Sequence, residues 1–215
     1  WMWMIKKDDK EIKLELLKDE NGKVELKNKE QADKFISKLN KKLVVNDIKK
    51  TTKSIASKDP FRTSTLEQSA YSNLGFKTKT TASVAQSLYE GVETNEGLVG
   101  LITYMRTDSV NLSDLALSTS RDTILSLMGE KYVHTRHFTT KTKGAQEAHE
   151  AIRPTYMSNE TIDGTSKEKR LYDLIWKRTL ASQMADAELE KTTATISISG
   201  HTDKFIAVGE VVTFD

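Results

Sequence analysis

The residue in this chain that is best suited to covalent chemistry is a tyrosine with an arginine two positions after it. Tyr104 is followed by Arg106 and then by Asp108. A tyrosine hydroxyl has a pKa of about 10 and is a poor nucleophile near neutral pH, so it needs a nearby cation that stabilises a phenolate or a phosphoryl group. The guanidinium of Arg106 is permanently charged and can bind two phosphate oxygens at once. The spacing therefore predicts a site that acts on a phosphate.

Structural alternatives remain open for each of these residues. A lone tyrosine is typical of the boundary between core and solvent, and Arg106 could serve only in an ion pair with Asp108. A carboxylate is a poor neighbour for a phosphate, so we expect Asp108 to orient Arg106 or to stabilise the local fold. Thr107 and Ser109 could bind phosphate oxygens, but such residues beside an aspartate are equally typical of turns and caps.

Three segments, in order along the chain, resemble one enzyme family. Residues 60–68 read PFRTSTLEQ, residues 100–109 read GLITYMRTDS and residues 146–155 read QEAHEAIRPT. The second resembles the active-site tyrosine motif of type IA DNA topoisomerases. The first resembles that family's segment entering the tyrosine-bearing domain, and the third resembles its downstream histidine motif. Met105, between the tyrosine and the arginine, resembles the bacterial topoisomerase I branch.

The resemblance implies an activity. Enzymes of this family relax negatively supercoiled DNA by cleaving one strand, holding its 5′-phosphotyrosyl end, passing the other strand through the gap and resealing the break. The covalent link conserves the energy of the broken bond, so no ATP is expected. The family uses Mg2+ held by a TOPRIM-type domain, whose acidic cluster has no counterpart in this sequence. We therefore expect a central fragment without the TOPRIM domain and without a zinc-ribbon tail, inactive alone, whose partners are single-stranded DNA and the missing domain of the same polypeptide.

The resemblance also implies roles for individual residues. Tyr104 is the expected nucleophile, and Arg106 is expected to hold the scissile phosphate. His149 is expected to donate to a phosphate oxygen or to carry a proton, since imidazole titrates near physiological pH. Glu147 and Glu150 flank His149, but the segment has no second histidine at ligand spacing, so no metal site is expected within this chain. The expected DNA-binding residues are Arg153, Thr103, Asp108 and Ser109.

Composition narrows the class of protein. Hydrophobic residues make up 37% and charged residues 30% of the 215 residues, which is typical of a globular protein with a core. No apolar run approaches the roughly 20 residues of a membrane span, so we expect a soluble, cytoplasmic chain without membrane contact. The absence of cysteine excludes disulfides and thiolate metal sites. A net charge of +2 is too small to indicate DNA binding, which must depend on local basic positions.

The start of the chain has the pattern of a β-hairpin followed by a helix. The chain begins at Trp1 rather than at methionine, which fits a fragment. Residues 12–16 alternate apolar and charged side chains, and the Asn21-Gly22 turn before a second short apolar stretch predicts the hairpin. Asn28 is expected to cap the helix that follows.

Further strands are expected on both sides of the central segment. Residues 43–48 predict one strand, and the polar stretch 51–58 predicts a linker that ends at Pro60. Near the other end, residues 192–199 alternate apolar and polar side chains, and residues 205–208 predict the next strand.

The middle of the chain is predicted to be helical. Helices over 63–73 and 80–90, separated by Gly75, resemble a helix-turn-helix, although an ordinary αα-hairpin is at least as plausible. A third helix is capped by Ser113, and a fourth covers 167–184. The third helix is predicted to bury Leu117, Ile124, Leu125 and Met128.

These elements predict an α+β fold. A mainly helical, tyrosine-bearing domain with helix-turn-helix-like elements, residues 58–185, is inserted into a β-rich arch or hinge domain formed by residues 1–57 and 186–215. The resemblance implies that both belong to a toroidal type IA topoisomerase. The competing class is a non-catalytic helix-turn-helix module that reads duplex DNA, in which Tyr104 is only structural.

Overall fold

The protein divides into two compact units. The structure is a computed structural model, and the residues it describes are 2–7, 10–16, 28–37, 42–94, 97–139, 149–198 and 204–214. One unit combines Trp1–Ile55 with Ala187–Asp215, and the other is Ala56–Asp186. The predicted arch and tyrosine domains had their junctions at 57/58 and 185/186, and their roles as arch and tyrosine domain remain predictions.

Strands from both ends of the chain form one antiparallel sheet in the first unit. Within the described residues the sheet has five strands. They are β1 (Met2–Lys7), β2 (Lys10–Leu16), β3 (Leu43–Ile55), β6 (Ala187–Ile198) and β7 (Lys204–Phe214). Their order in the sheet is β1-β2-β7-β6-β3.

The core of the first unit follows from the alternation of its strands. Leu14, Ile196 and Phe205 are buried together, and Leu16 lies opposite Phe205 across the β2–β7 ladder. Side chains two residues apart on a strand point to the same face, so one apolar face is formed from three strands. The prediction of strands in this part of the sequence is confirmed.

The hairpin at the start of the chain differs from the predicted one. β2 pairs with β1, with Leu14 opposite Trp3, whereas the predicted turn at Asn21-Gly22 and the stretch after it lie outside the described residues. The sequence MWMIKK of β1 has a run of apolar residues rather than an alternation. The periodicity of such a short run does not distinguish a strand from a helix, so β1 was not predicted from the sequence.

The helix after the hairpin begins where the sequence predicts. Helix α1 (Lys29–Ser37) follows Asn28, whose Oδ1 accepts a hydrogen bond from Gln31 N at 2.9 Å. This bond satisfies one of the free N–H groups of the first turn. Ala32 is buried. The predicted cap is confirmed.

The linker predicted over residues 51–58 is wrong for its first five residues. β3 continues to Ile55, and its residues 51–55 pair with Lys191 to Ala187 of β6. β3 lies at the edge of the sheet, and all its side chains are exposed. An exposed edge strand tolerates polar side chains because its pairing is made by the backbone, so composition alone suggested a linker.

Within the described residues, the second unit has four α-helices. They are α2 (Thr63–Leu74), α3 (Thr78–Glu90), α4 (Asp114–Leu127) and α5 (Ser166–Ser182). Two short antiparallel strands, β4 (Val92–Thr94) and β5 (Gly97–Val99), follow α3, and a 3-10 turn covers Glu130–Tyr132. The core includes Leu66, Leu88, Ile102, Ile124, Ile152, Leu171 and Ile175.

The break between α2 and α3 lies at the predicted glycine. Gly75 has φ of 70°, and its N–H donates to Tyr71 O at 3.1 Å while Phe76 N donates to Ala70 O at 3.2 Å. This left-handed helix end favours glycine. The inner face of α3 packs in the core through Ala85 and Leu88. Whether its outer face enters a DNA groove remains a prediction.

Helix α4 begins at the predicted cap, but its buried face is narrower than predicted. Ser113 Oγ accepts from Ala116 N at 3.3 Å. Leu117 and Ile124 are buried, whereas Leu125 and Met128 are exposed, so the prediction is wrong for these two. Position 125 is about 100° around the helix from 124, and Met128 lies after the last helical residue.

Helix α5 is the central helix of the second unit, as predicted. Leu171, Ile175 and Trp176 are buried on one face. Its start is fixed by a capping box, in which Thr165 Oγ1 accepts from Glu168 N and Glu168 Oε2 accepts from Thr165 N at 2.7 Å. This reciprocal pair satisfies two backbone donors at once.

The described segment after the 3-10 turn, residues 134–139, has no regular secondary structure. Gln183 fixes it: Gln183 Oε1 accepts from Arg136 N at 2.9 Å, and Gln183 O accepts from His134 N at 3.0 Å. The Arg136 guanidinium also donates to the Asp186 carboxylate. The end of α5 therefore holds this segment.

The fold is α+β, with a mainly helical unit inserted between the strands of a β-rich unit, as the sequence predicts. Among the described residues, no helix combines the length and the apolar character needed to cross a membrane.

Replacing Thr165 by alanine tests the capping box. We expect Thr165→Ala to lower the free energy of unfolding by about 1 kcal/mol, because the first turn of α5 loses its cap. Thr161→Ala changes the same residue type at an exposed position outside the helices and is the matched control. Urea unfolding followed by circular dichroism measures both, and equal losses in the two variants would contradict the capping role.

Candidate active site

The segment that carries Tyr104 begins in close contact with the end of α3. Leu101 N donates to Leu88 O at 2.8 Å. A Cβ at position 100 would lie 2.9 Å from Tyr89 O, which is closer than carbon and oxygen approach without repulsion. Gly100 therefore allows the backbone to pass close to the end of α3.

Backbone pairing with the histidine motif holds the residues just before Tyr104. Thr103 N donates to Arg153 O at 2.9 Å. The Thr103 hydroxyl donates to Ala151 O at 2.6 Å and accepts from Arg153 N at 3.0 Å. Ile102 forms an isolated bridge with Pro154. Two short chain segments thus bind each other through both backbone and side chain.

Thr63, at the start of α2, holds the residues just after Tyr104. Its hydroxyl lies 2.8 Å from Met105 O and accepts a hydrogen bond from Thr107 N at 2.9 Å, while Thr63 N donates to Thr107 O at 3.0 Å. Thr107 Oγ1 in turn accepts from Ser109 N at 3.0 Å. The tyrosine loop is therefore fixed at both ends.

The three motifs that carry the family resemblance are brought together in the structure. Besides the contacts of the tyrosine loop, Ile152 N donates to Phe61 O at 2.7 Å. Residues 60–68 and the described part of 146–155 thus pair with each other as well as with the loop between them.

Burial alternates along the loop. Met105, Thr107 and Ser109 are buried, whereas Tyr104, Arg106 and Asp108 are exposed. Backbone anchors on both sides of Tyr104 hold this alternation in place. The phenol, the guanidinium and the carboxylate are thus all accessible from solvent.

Two aromatic rings fix the ring of Tyr104. The ring of Tyr89, on the last turn of α3, lies 5.3 Å away at 64°, and the ring of His149 lies 5.9 Å away. Edge-to-face contact at this distance is favourable. Tyr104 is 38% exposed, and among the described residues its hydroxyl has no hydrogen-bond partner. The ring is restrained while the reactive oxygen is uncommitted.

Arg106 lines a cleft between α2 and α3. The cleft has a volume of about 530 Å3. Within the described ranges Arg106 makes no ion pair, so the alternative of an Arg106–Asp108 pair is not what the structure has. The guanidinium is exposed and available to an anion.

Glu150 organises the segment that contains His149. Its carboxylate accepts two hydrogen bonds from the Arg153 guanidinium, the shorter at 2.6 Å, and one from Ser113 N at 2.6 Å. Burial alone would raise the pKa of this carboxyl, but the hydrogen bonds from Arg153 and Ser113 outweigh it, so the pKa is lowered. Glu150 therefore links the histidine motif to the start of α4.

Three of the predicted DNA-binding side chains are engaged within the protein. The Thr103 hydroxyl binds Ala151 O, the Ser109 Oγ accepts from Asn111 N, and the Arg153 guanidinium binds Glu150. Asp108 is exposed. DNA contact by these four residues remains a prediction.

The described residues do not offer a magnesium site. No cluster of three or more His, Asp or Glu side chains is placed to hold a metal ion in the part of the chain that the structure describes. Mg2+ prefers several oxygen ligands, so the residues present do not fit it. We therefore assign no metal-dependent step to these residues.

Fold and site together define a class of protein. The family model for DNA topoisomerase matches residues 2–215. The chain therefore belongs to the bacterial type I DNA topoisomerase family.

Particular relatives support this membership. The chain is 48% identical over 155 residues to DNA topoisomerase 1 of Thermotoga maritima, covering 70% of this chain and 24% of that protein. It is 41% identical over 210 residues to DNA topoisomerase 1 of Helicobacter pylori, covering 95% of this chain and 27% of that protein. The chain thus spans about a quarter of the length of these curated relatives.

A solved structure has the same fold. Full-length topoisomerase I from Thermotoga maritima superposes with a TM-score of 0.77 at 37% identity, covering 95% of this chain and 33% of that chain. The arrangement of elements described above is therefore one that the family is known to adopt.

Sequence reasoning missed three residues that build the site. Thr63 lies in the first of the three motifs. No spacing in the sequence indicates that its hydroxyl group forms a hydrogen bond with a segment 44 residues away. Tyr89 lies on α3, and nothing in its spacing indicates a contact with Tyr104. Glu150 was considered only as a metal ligand; its position three residues before Arg153 is the one signal of an ion pair.

Replacing Glu150 by glutamine tests the network around the histidine motif. Glu150→Gln leaves a mostly buried guanidinium without its partner, and we expect the free energy of unfolding at pH 7 to fall by about 1–3 kcal/mol. Because the pKa of Glu150 is lowered in the folded protein, its stabilisation is present above the ordinary value of 4.5 and is lost as pH falls through the lowered value. The difference between the two proteins should therefore shrink below pH 4.5.

Urea unfolding at a series of pH values measures this difference. Glu160→Gln, at an exposed position, is the matched control and should show neither effect. A difference that stays constant down to the lowest pH would contradict the ion-pair account.

Proposed function

We propose that this chain supplies the nucleophile of a type IA topoisomerase, which cleaves one strand of DNA and reseals it. The observation that carries the proposal is the position of Tyr104. Its ring is restrained by Tyr89 and His149, its hydroxyl has no partner among the described residues, and Arg106 two positions away is exposed. A nucleophile held in this way loses little freedom on reaching the transition state.

The proposed step is a transesterification. The Tyr104 Oη forms a bond to the phosphorus of a single strand, and the bond from that phosphorus to the 3′-oxygen breaks. The hydroxyl proton passes to the 3′-oxygen, which leaves as a hydroxyl group. The product is a 5′-phosphotyrosyl link, and attack by the same 3′-hydroxyl reverses the step. No bond energy is lost, so religation needs no ATP.

Two side chains assist the transfer in this proposal. Arg106 binds the oxygens of the scissile phosphate, whose negative charge is redistributed in the transition state. It cannot act as a base, because a guanidinium keeps its proton in proteins. His149 carries the proton or donates to a phosphate oxygen, since its ring lies against that of Tyr104.

The remaining predicted contacts take secondary roles. Asp108 makes no ion pair with Arg106, so in this proposal its exposed carboxylate accepts hydrogen bonds from amino groups of the DNA bases. Thr103, Ser109 and Arg153 hold the loop through the bonds described above, and contacts with the DNA backbone through their remaining atoms belong to the proposal.

The activity of the complete protein is also part of the proposal. In it, single-strand cleavage, passage of the second strand and religation relax negatively supercoiled DNA in the cytoplasm. A TOPRIM-type domain of the same polypeptide holds the Mg2+, for which the residues described here offer no site. The whole assembles as a toroid.

Covalent trapping tests the nucleophile. The complete protein that contains this chain, unaltered or carrying Tyr104→Phe, is incubated with end-labelled single-stranded DNA and Mg2+ and then denatured. We expect an adduct on the 5′-phosphate from the unaltered protein, none from Tyr104→Phe and none from the isolated chain. Tyr71→Phe, at an exposed position on α2, is the matched control and should form the adduct.

Equal DNA binding by both proteins without any adduct would contradict the catalytic proposal. Preference for duplex DNA in that case would favour the non-catalytic helix-turn-helix module.

Tyr89 offers a second test. Its contact with Tyr104 restrains the nucleophilic ring, so Tyr89→Ala should lower the rate of cleavage about tenfold or more, since small misplacements of a reacting group have large effects. Tyr89→Phe keeps the ring contact and should retain most of the rate. Single-turnover cleavage at saturating DNA measures the rate, and a titration measures DNA affinity.

Tyr71→Ala is the matched control for the loss of an exposed tyrosine from a helix. A loss of affinity with an unchanged rate in Tyr89→Ala would show that Tyr89 binds DNA rather than positioning Tyr104.

A further inference from the structure

The cleft beside the tyrosine loop has an apolar floor and a polar rim. The floor is formed by the buried residues Leu66, Thr81, Ala85 and Met105, whereas Glu67, Ser83, Gln86 and Arg106 stand at its rim. Its volume of about 530 Å3 lies within the range of about 300–1,000 Å3 for sites that bind small molecules.

Two residues of opposite charge at the rim do not form an ion pair with each other. Arg106 and Glu67 both line the cleft, but no ion pair joins them, so their nitrogen and oxygen atoms are more than 4.0 Å apart. Gln86 donates its amide N–H to Glu90, which leaves its carbonyl oxygen as an acceptor. The rim thus has a cation that suits a phosphate and acceptors that suit an N–H donor.

A nucleotide has the matching features. Its phosphate is an anion, its base has two apolar faces, and its edge carries hydrogen-bonding groups. Because Arg106 both lines the cleft and lies two residues from Tyr104, a phosphate bound by Arg106 would place a neighbouring base at the cleft. We propose that the cleft between α2 and α3 binds the base of a nucleotide next to the scissile phosphate, and so adds a base preference at that position.

The rim also favours certain bases. The carboxylate of Glu67 only accepts hydrogen bonds, so it binds the exocyclic amino group of cytosine, adenine or guanine. Thymine has no amino group, and its one N–H donor, at N3, lies between two carbonyl oxygens that repel a carboxylate. The site therefore disfavours thymine. This inference rests on the proposed function, since it assumes that Arg106 binds the scissile phosphate.

Sequencing of the cleavage positions tests the inference. The complete protein is incubated with a single-stranded library that is randomised around the cleavage region, and the DNA covalently trapped on the protein is sequenced. We expect thymine to be depleted at one position next to the scissile phosphate. Glu67→Gln, which introduces an amide that also donates, should weaken this depletion about fivefold or more.

A second variant tests the cleft without changing charge. Ala82 is exposed at the rim, so Ala82→Phe can fill the cleft without disturbing the core. We expect it to raise the KM for single-stranded DNA and to abolish the preference at that position, with the adduct still formed on Tyr104. Ser72→Phe introduces the same ring at an exposed position of α2 outside the cleft and is the matched control. Circular dichroism confirms that each variant is folded.

The outcomes distinguish this inference from the proposal on which it rests. Normal adduct formation with the same sequence preference in the unaltered protein, Glu67→Gln and Ala82→Phe would overturn the cleft as a base site and leave the nucleophile intact. The absence of an adduct from the unaltered protein would overturn the proposed function, and the cleft assignment with it.

Discussion

The candidate site depends above all on the hydrogen bonds that hold an irregular loop at both of its ends. Residues 100–109 contain no helix and only isolated bridge contacts, so they have little structure of their own. Thr103 pairs with the histidine motif, and Thr107 pairs with Thr63 at the start of α2. A polar group in the interior must find a partner, and here each partner comes from a distant part of the sequence. These hydrogen bonds hold the conformation of the loop, as the hydrogen bonds of a sheet hold a strand.

The alternation along the loop separates structural from chemical residues. Met105, Thr107 and Ser109 face the protein, where the two hydroxyl-bearing side chains bind backbone groups. This leaves Tyr104 and Arg106 exposed, and neither the Tyr104 hydroxyl nor the Arg106 guanidinium has a partner in the part of the chain that the structure describes. A reactive group fixed by packing rather than by its own hydrogen bonds can approach a substrate without first breaking bonds to the protein. The rings of Tyr89 and His149 supply that packing.

Signals that are local in the sequence predicted where helices begin and end better than they predicted which strands and side chains contact each other. Asn28, Gly75 and Ser113 each predicted a helix end that the structure has, because a cap is formed by residues close in sequence. β1 was missed because a short apolar run has no strand periodicity. The end of β3 was missed because pairing with the distant β6 overrides its polar composition. The motif around Tyr104 was visible in the sequence, whereas Thr63 and Tyr89 contribute through contacts that are distant in sequence or run between side chains. Hydroxyl-to-backbone bonds of this kind have no period or spacing from which they could be predicted.

The same alternation explains why the order of residues in the loop matters more than their composition. If the chain were shifted by one residue between its anchors, Tyr104 and Arg106 would point into the core, and Thr107 and Ser109 would lose their backbone partners. A buried guanidinium without a partner is strongly unfavourable, so such a shifted state is not a competitor. Arg106 thus helps to specify the register of the loop through the energetic cost of burying it. A residue proposed for phosphate binding therefore also contributes to placing the nucleophile beside it.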